Sequence, residues 1–252
     1  MNIRFDGQTI AVTGAGHGYG RAIARSFAAL GGRVFACDLS AEELAETARC
    51  EGSITTAAFD LTARGAAFDW IKSIEATTGG PLAVLVCNAG GVRGQVNRPV
   101  EDVPEEDWHA IFDINTHATF NMARAVTPGM KKAGAGRIVT ISSGAGLKPS
   151  KTGIQAYCSA KHALVGLTKQ LARELGPFGI TVNSVAPGFA LSNPATIKQF
   201  ESYGPEGQKA LVESIAMRRL GDPQDIANGV LFFASAYAGW VTGQILSVDG
   251  GS

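Results

Sequence analysis

Tyr157 and Lys161 stand four residues apart in a stretch, Ala156–Leu175, whose apolar spacing reads as helix. Both side chains then leave one face about one turn apart. A phenol held beside an ammonium is a proton carrier suited to work near neutral pH. The free phenol titrates near ~10, and a unit positive charge at ~4 Å in an effective dielectric near ~20 favours the phenolate by roughly 4 kcal/mol. Burial of the ring opposes that gain, so the figure is an upper limit. Such a pair also arises on ordinary amphipathic faces, and it acquires weight here from three other features.

The first is a glycine turn. Thr9–Thr13 reads as a buried strand running into Gly14, Gly16, His17, Gly18, Tyr19 and Gly20, with a helical repeat of Ile23, Phe27 and Leu30 directly after. Glycines between strand and helix let backbone N–H groups approach a diphosphate, and the helix N-terminus adds a positive dipole end. The second is Asp38, which closes the next apolar run, Val34–Cys37, eighteen residues after Gly20. A carboxylate there accepts from both hydroxyls of an adenosine ribose and repels a 2′-phosphate, which predicts NAD rather than NADP. Leu39 follows it with no basic neighbour, and Arg33 lies at the wrong end of the strand. The third is a series of strand-end signals: Asp60 and Leu61 after Ala57–Phe59, Asn88, Ala89 and Gly90 after Leu82–Cys87, and Ser142 and Ser143 after Ile138–Ile141. In a parallel sheet with helical crossovers, ligands collect at these carboxyl ends.

Taken in order, Thr13–Gly20, Asn88–Gly90, Asn115, Ser143, Tyr157–Lys161 and Pro187-Gly188 resemble the motifs of the short-chain dehydrogenase/reductase family, over essentially the whole chain. That resemblance implies a single Rossmann-like domain over residues 1–252, an α/β fold with a doubly wound parallel sheet of about seven strands and helices on both faces. It also implies a nicotinamide cofactor and hydride transfer at a secondary alcohol or ketone. By the same resemblance Tyr157 is the general acid/base, Lys161 lowers its pKa and binds the nicotinamide ribose, and Ser143 orients the reacting oxygen. Asn115 links Lys161 through water to solvent, Asp60, Leu61 and Asn88 line the adenine and ribose, and Ser192, after Gly188, contacts the carboxamide.

Two departures stand out. Tyr19 replaces the Ile or Leu usual in that turn, and Ser143 precedes Tyr157 by fourteen residues, one more than the commonest spacing. The extra residue falls in 148–155 and bears on the substrate pocket; Ser142 is an alternative to Ser143. Substrate identity belongs to the irregular parts, Gly91–Asn97, Lys148–Gln155 and Phe189–Gly207, the last a candidate lid. Arg93, Lys148 and Lys151 form an expected cationic rim with Gln155 beside it, suiting a carboxylate and hydroxyls. The expected substrate is therefore a polar sugar or a 2-keto-3-deoxy sugar acid. The alternatives are a 3-oxoacyl thioester reductase and a non-catalytic NAD-binding protein.

Lys+Arg and Asp+Glu balance at 22 each, so no overall field favours nucleic acid or an anionic membrane. The longest apolar strand, Leu82–Cys87, is far too short to span a bilayer, and the first residues lack a signal-peptide apolar core; a cytoplasmic protein is expected. The 45% hydrophobic and 17% charged residues suit a sizeable core, and no linker or repeat interrupts the strand-helix alternation. Cys37, Cys50, Cys87 and Cys158 have no metal-ligand spacing, and no metal is expected; of the histidines only His17 stands where it can touch a phosphate. Pro104–Met130, with Asn115 at its middle, reads as one long helix, and it and Ala156–Leu175 are the expected faces of a homodimer or homotetramer.

Overall fold

The computed structural model describes residues 2–50, 52–150 and 152–252. Seven parallel strands form one sheet: β1 (Thr9–Thr13), β2 (Arg33–Asp38), β3 (Ser53–Ala58), β4 (Val84–Cys87), β5 (Gly136–Ile141), β6 (Ile180–Pro187) and β7 (Ile245–Val248). Their spatial order is β3-β2-β1-β4-β5-β6-β7. The direction of winding reverses between β1 and β4, where a crevice for ligand opens at the carboxyl ends.

Helices cover both faces, so the inner strands are apolar on both sides. On one face, Ile10 and Val12 of β1 and Val84 and Val86 of β4 pack with Ile23 and Phe27 of α1 (Gly18–Ala29). Ile226, Val230 and Phe233 of α9 (Pro223–Ala234) complete that layer. On the other, Ala11, Leu85 and Cys87 meet Trp70 and Ile74 of α3 (Ala66–Thr78) and Met122 and Val126 of α5 (Ala118–Ala133). The long helix α6 (Gln155–Leu175) adds Ala172 and Leu175 to the same face. Alternation along β1 and β4 fixes which residues go to which layer. The short α2 (Ala41–Thr47) joins β2 to β3, capped by Ser40, whose hydroxyl accepts from Glu43 N–H.

Two sequence expectations change. Pro104–Met130 is not one α-helix: α4 (Glu105–Phe112) passes into a π-helical turn, Asp113–His117, before α5. Asn115 lies in this wide turn, where its carboxamide holds the N–H and carbonyl of Gly91 and the carbonyl of Ile111. The stretch expected as an irregular lid, Phe189–Gly207, carries α7 (Pro194–Ser202) and the start of α8 (Gly204–Ser214). Asn193 caps α7 in a reciprocal box, accepting from Thr196 N–H at 3.0 Å while Thr196 Oγ1 accepts from Asn193 N–H at 3.1 Å.

Candidate active site

Ser143 stands two residues after the end of β5 (Ile141) and caps a 3₁₀ turn, Gly144–Gly146, with its Oγ accepting from Ala145 N–H at 3.1 Å. That contact uses a lone pair and leaves the hydroxyl proton to donate. Its alternative, Ser142, is buried and gives its hydroxyl to the Val185 carbonyl at 3.3 Å, so Ser143 alone faces the Tyr157 phenol. The 3₁₀ turn packs so tightly on α6 that a Cβ at Gly146 would stand 2.7 Å from the Lys161 carbonyl oxygen.

Lys161 is buried, with Nζ 5.6 Å from the centre of the Tyr157 ring and donating to the Ile141 carbonyl at 2.9 Å. An ammonium carries three donors, which leaves it capacity beyond that one bond. Asn115, also buried, fixes the other wall: Oδ1 accepts from Gly91 N–H at 3.0 Å, while Nδ2 donates to the carbonyls of Gly91 at 2.8 Å and Ile111 at 2.9 Å. Gly90 lies between the two, since a Cβ there would be 2.6 Å from Asn115 Oδ1 and 3.3 Å from Lys161 Nζ. Ser143, Tyr157, Lys161, Asn115 and Gly90 thus converge at the ends of β4 and β5.

The electrostatics differ from the expectation drawn from the sequence. Burial raises the Tyr157 phenol above its ordinary value, opposed by the neighbouring Ser143 hydroxyl, and burial lowers Lys161 to about 7. In the protein alone, desolvation of the ring outweighs the help of the ammonium, because Lys161 itself loses charge on leaving water.

The glycine turn is built to accept a phosphate. Gly14 and Gly18 have φ of +65° and +53°, the left-handed region that favours glycine. A Cβ at Gly14 would lie 2.7 Å from Ala89 Cα, and one at Gly20 would lie 2.6 Å from Asn88 Nδ2. His17 is exposed and its side chain caps nothing, and no acidic residue occupies the first turn of α1, so those N–H groups stay open to an anion. Asp38 reaches the turn from β2: Oδ2 accepts from Gly16 N–H at 2.8 Å and Oδ1 from Leu39 N–H at 2.7 Å. These residues fit a dinucleotide with diphosphate on α1 and ribose at Asp38.

Several predicted residues have other partners. Asn88 Nδ2 donates to the Thr13 and Gly14 carbonyls at 3.2 and 2.8 Å, so it braces the turn. Asp60 is exposed and accepts from the Thr62 N–H and hydroxyl at 2.8 and 2.7 Å, which lowers its pKa; Leu61 beside it is buried. Gly188 closes against Asp249, where a Cβ would be 2.6 Å from that Cα, and Pro187 ends β6 beside Val248. Phe189 packs with Phe200 and Tyr203, each 6.3 Å away. The expected cationic rim is not assembled: Lys148 Nζ donates to the Ser252 carbonyl at 2.7 Å, Gln155 donates to the Arg98 carbonyl at 2.8 Å, and exposed Arg93 lies near Asp60. Lys151 is outside the described residues. Cys37 and Cys87 are buried thiols whose pKa values burial raises.

Three further residues support the site. Thr13 Oγ1 accepts from Asn88 N–H and Ala89 N–H, both at 3.1 Å, tying β1 to β4. Arg21 donates through Nε to the Gly16 carbonyl at 3.0 Å and pairs with Glu43 at 2.5 Å. Thr47 donates to the Ala15 carbonyl at 2.8 Å. Thr13 sits at a strand end, a weak signal; Arg21 and Thr47 meet the turn only through folding.

Residues 14–252 match a family model described as enoyl-(acyl carrier protein) reductase. The chain is 33% identical to 3-oxoacyl-[acyl-carrier-protein] reductase FabG of Thermotoga maritima, over 99% of each chain. It also resembles the solved structure of a 7α-hydroxysteroid dehydrogenase complexed with NADH and 7-oxo glycochenodeoxycholic acid (34% identity, TM-score 0.90, 100% of this chain and 96% of that one). A provisionally assigned NAD(P)-dependent gluconate 5-dehydrogenase from Beutenbergia cavernae, with NADP at low occupancy, is similar as well (33% identity, TM-score 0.89, 100% and 98% covered).

Proposed function

This chain belongs to the short-chain dehydrogenase/reductase family and is an oxidoreductase, and we propose that within it the protein uses NAD to interconvert a secondary alcohol and its ketone at Tyr157. The observation that carries the reading is the convergence of Ser143, Tyr157, Lys161 and Asn115 at the mouth of one crevice. The Ser143 hydroxyl donates to the oxygen of the reacting carbon, where charge develops. Tyr157 exchanges the hydroxyl proton at its phenolic oxygen. Lys161 holds positive charge near that oxygen and offers donors to the cofactor ribose, and Asn115 keeps the Gly90-Gly91 wall in register beside it. The dinucleotide, when bound, supplies the hydride donor or acceptor. Gly14, Gly16, Gly18 and Gly20 hold its diphosphate, with Ala89, Gly90, Pro187, Gly188 and Ser192 around the nicotinamide.

The choice of NAD rests on Asp38, whose carboxylate stands at the Gly16 turn where a 2′-phosphate would bring like charge. Hydrogen bonds to a charged group contribute ~1.5–3 kcal/mol, so Asp38→Ser is expected to raise the KM for NAD about 10- to 100-fold and to lower that for NADP. Initial rates with both dinucleotides check this; an unchanged ratio counts against the assignment.

For the substrate we infer a polar sugar or 2-keto-3-deoxy sugar acid. Similarity to a protein provisionally assigned to gluconate supports it. A second reading, a 3-oxoacyl thioester, is favoured by similarity to a 3-oxoacyl-[acyl-carrier-protein] reductase and by the exposed apolar side chains Leu191, Ile197 and Met217 on the segment after β6. Turnover of sugar acids, neutral sugars, hydroxysteroids and 3-oxoacyl thioesters with each dinucleotide separates them; activity confined to the last two classes defeats the sugar reading. Self-association is assigned to the two long helical stretches, Pro104–Met130 and Ala156–Leu175; on the first, Arg124 of α5 lies over the exposed rings of Phe120 and of Phe68 on α3. Among the described residues no helix is long and apolar enough to cross a membrane.

A further inference from the structure

Ser40-Ala41-Glu42-Glu43, at the start of α2, spells a capping box, in which the acid three residues after the cap accepts from the cap's own N–H. Only half of that box forms. Ser40 Oγ accepts from Glu43 N–H at 3.2 Å, but the Ser40 N–H goes to Asp38 Oδ1 at 3.4 Å. Asp38 thus takes the bond that Glu43 would have made, and the Glu43 carboxylate pairs instead with Arg21 of α1, at 2.5 Å.

Both acids border one glycine of the dinucleotide turn. A Cβ at Gly16 would lie 2.8 Å from Asp38 Cγ and 3.1 Å from Glu43 Cβ. Arg21 is bonded to the same residue: Nε donates to the Gly16 carbonyl at 3.0 Å and to Thr47 Oγ1 at 3.1 Å. Its Nη2 donates to the Gly16 carbonyl, to the Glu43 carbonyl at 3.2 Å and to the Glu43 carboxylate. The cation held at Gly16 is therefore answered by Glu43, which leaves the Asp38 charge unbalanced there. A second pair, Arg25 with Glu46 at 3.2 Å, repeats the arrangement one turn further along both helices, where Arg25 bonds the Glu46 and Thr47 carbonyls.

We propose that Glu43 is a second determinant of dinucleotide choice: by cancelling the charge of Arg21 it withholds the cation that a 2′-phosphate would draw on, so that Asp38 and Glu43 together reject NADP. This rests on the reading of the Gly14–Gly20 turn as a dinucleotide site with the adenosine ribose at Asp38. The direction of the effect does not depend on how the phosphate lies. A phosphate monoester carries about −1.5 to −2 charge at neutral pH, and each negative charge near it weakens its binding. Removing Asp38 alone therefore leaves part of the barrier standing. Glu43 is half exposed, so solvent and salt screen its share.

The test uses the full chain and equilibrium binding: fluorescence titration with NADH and with NADPH gives a Kd for each without turnover. Glu43→Gln is expected to lower the Kd for NADPH about 3- to 10-fold and to leave that for NADH within about twofold. Glu43→Asp keeps the charge, and Glu46→Gln removes the same charge from the neighbouring pair; in both, the ratio of the two Kd values stays within about twofold of wild type. In about 1 M salt, where the Debye length is ~3 Å, the ratio in Glu43→Gln should return toward the wild-type ratio. A Glu43→Gln change that is equal for both dinucleotides, or one that Glu46→Gln or Glu43→Asp reproduces, overturns the proposal. If wild type binds NADH and Glu43→Gln leaves the ratio unmoved, the role of Glu43 falls while the dinucleotide site stands; if wild type binds neither dinucleotide, both fall.

Discussion

Tyr157→Phe is expected to lower turnover by about 10²–10⁴-fold while leaving NADH affinity within twofold, because general acid–base catalysis contributes that much. The substitution removes one oxygen and keeps the ring, which packs against the cluster of Ile111, Ile154, Ala156 and Ala160. The fold and the cofactor turn, on β1 and α1, therefore stay as they are. Single-turnover rates with NADH and ketone, set beside NADH fluorescence titration, check both halves. A variant that turns over at the wild-type rate removes Tyr157 from the chemistry, and one that loses NADH binding instead makes it a cofactor contact.

Lys161→Met is expected to act in opposite directions on activity and on stability. Turnover falls by at least about 10²-fold, since the reacting phenol loses its neighbouring charge. Stability rises. The unfolded chain keeps a proton on a lysine up to about pH 10, whereas burial lowers this one to about 7 in the folded chain. Between those values unfolding takes up a proton, so the folded state gains on raising the pH across that window and carries its full handicap below about 7. Met fills a similar volume without that penalty, although the Ile141 carbonyl loses its donor. For a domain of this size each kcal/mol recovered raises Tm by about 2–4 °C. Thermal unfolding at pH 6.5 and at pH 10 measures it: the gain of the variant over wild type shrinks at the higher pH. A variant less stable than wild type at pH 6.5 would mean that the Ile141 contact outweighs the cost of burying the amine.

The sequence carried the fold because apolar runs ending in glycine or small polar residues mark parallel strands; the run Ala57–Phe59 catches only the end of the largely exposed β3, and β4 begins at Val84, two residues inside the run that starts at Leu82. Ser143, Tyr157 and Lys161 were legible for a similar reason, as strand-end and one-turn helical spacings are local. What failed to show is nonlocal. The π-turn at Asn115 follows from bonds to Gly91, twenty-four residues away, which no helical pattern encodes. Lys148 looked like a free rim cation because its partner, Ser252, lies 104 residues along. Helix α7 escaped notice because it buries none of its residues fully and so leaves no apolar stripe, although the Asn193–Thr196 cap was there to read. The sign of the Tyr157 perturbation depended on how deeply ring and amine are buried, a quantity spacing does not contain.

The central claim is that the phenolic oxygen of Tyr157 exchanges the proton of the reacting hydroxyl. The pH dependence of kcat/KM for alcohol oxidation and for ketone reduction, in wild type and Tyr157→Phe, tests it most directly. Oxidation in wild type should climb with pH through an ionisation belonging to the Tyr157–Lys161 pair while reduction declines through it, and the residual activity of the variant should lose that dependence. Parallel profiles in the two proteins, or oxidation that slows as the pH rises, would contradict the account.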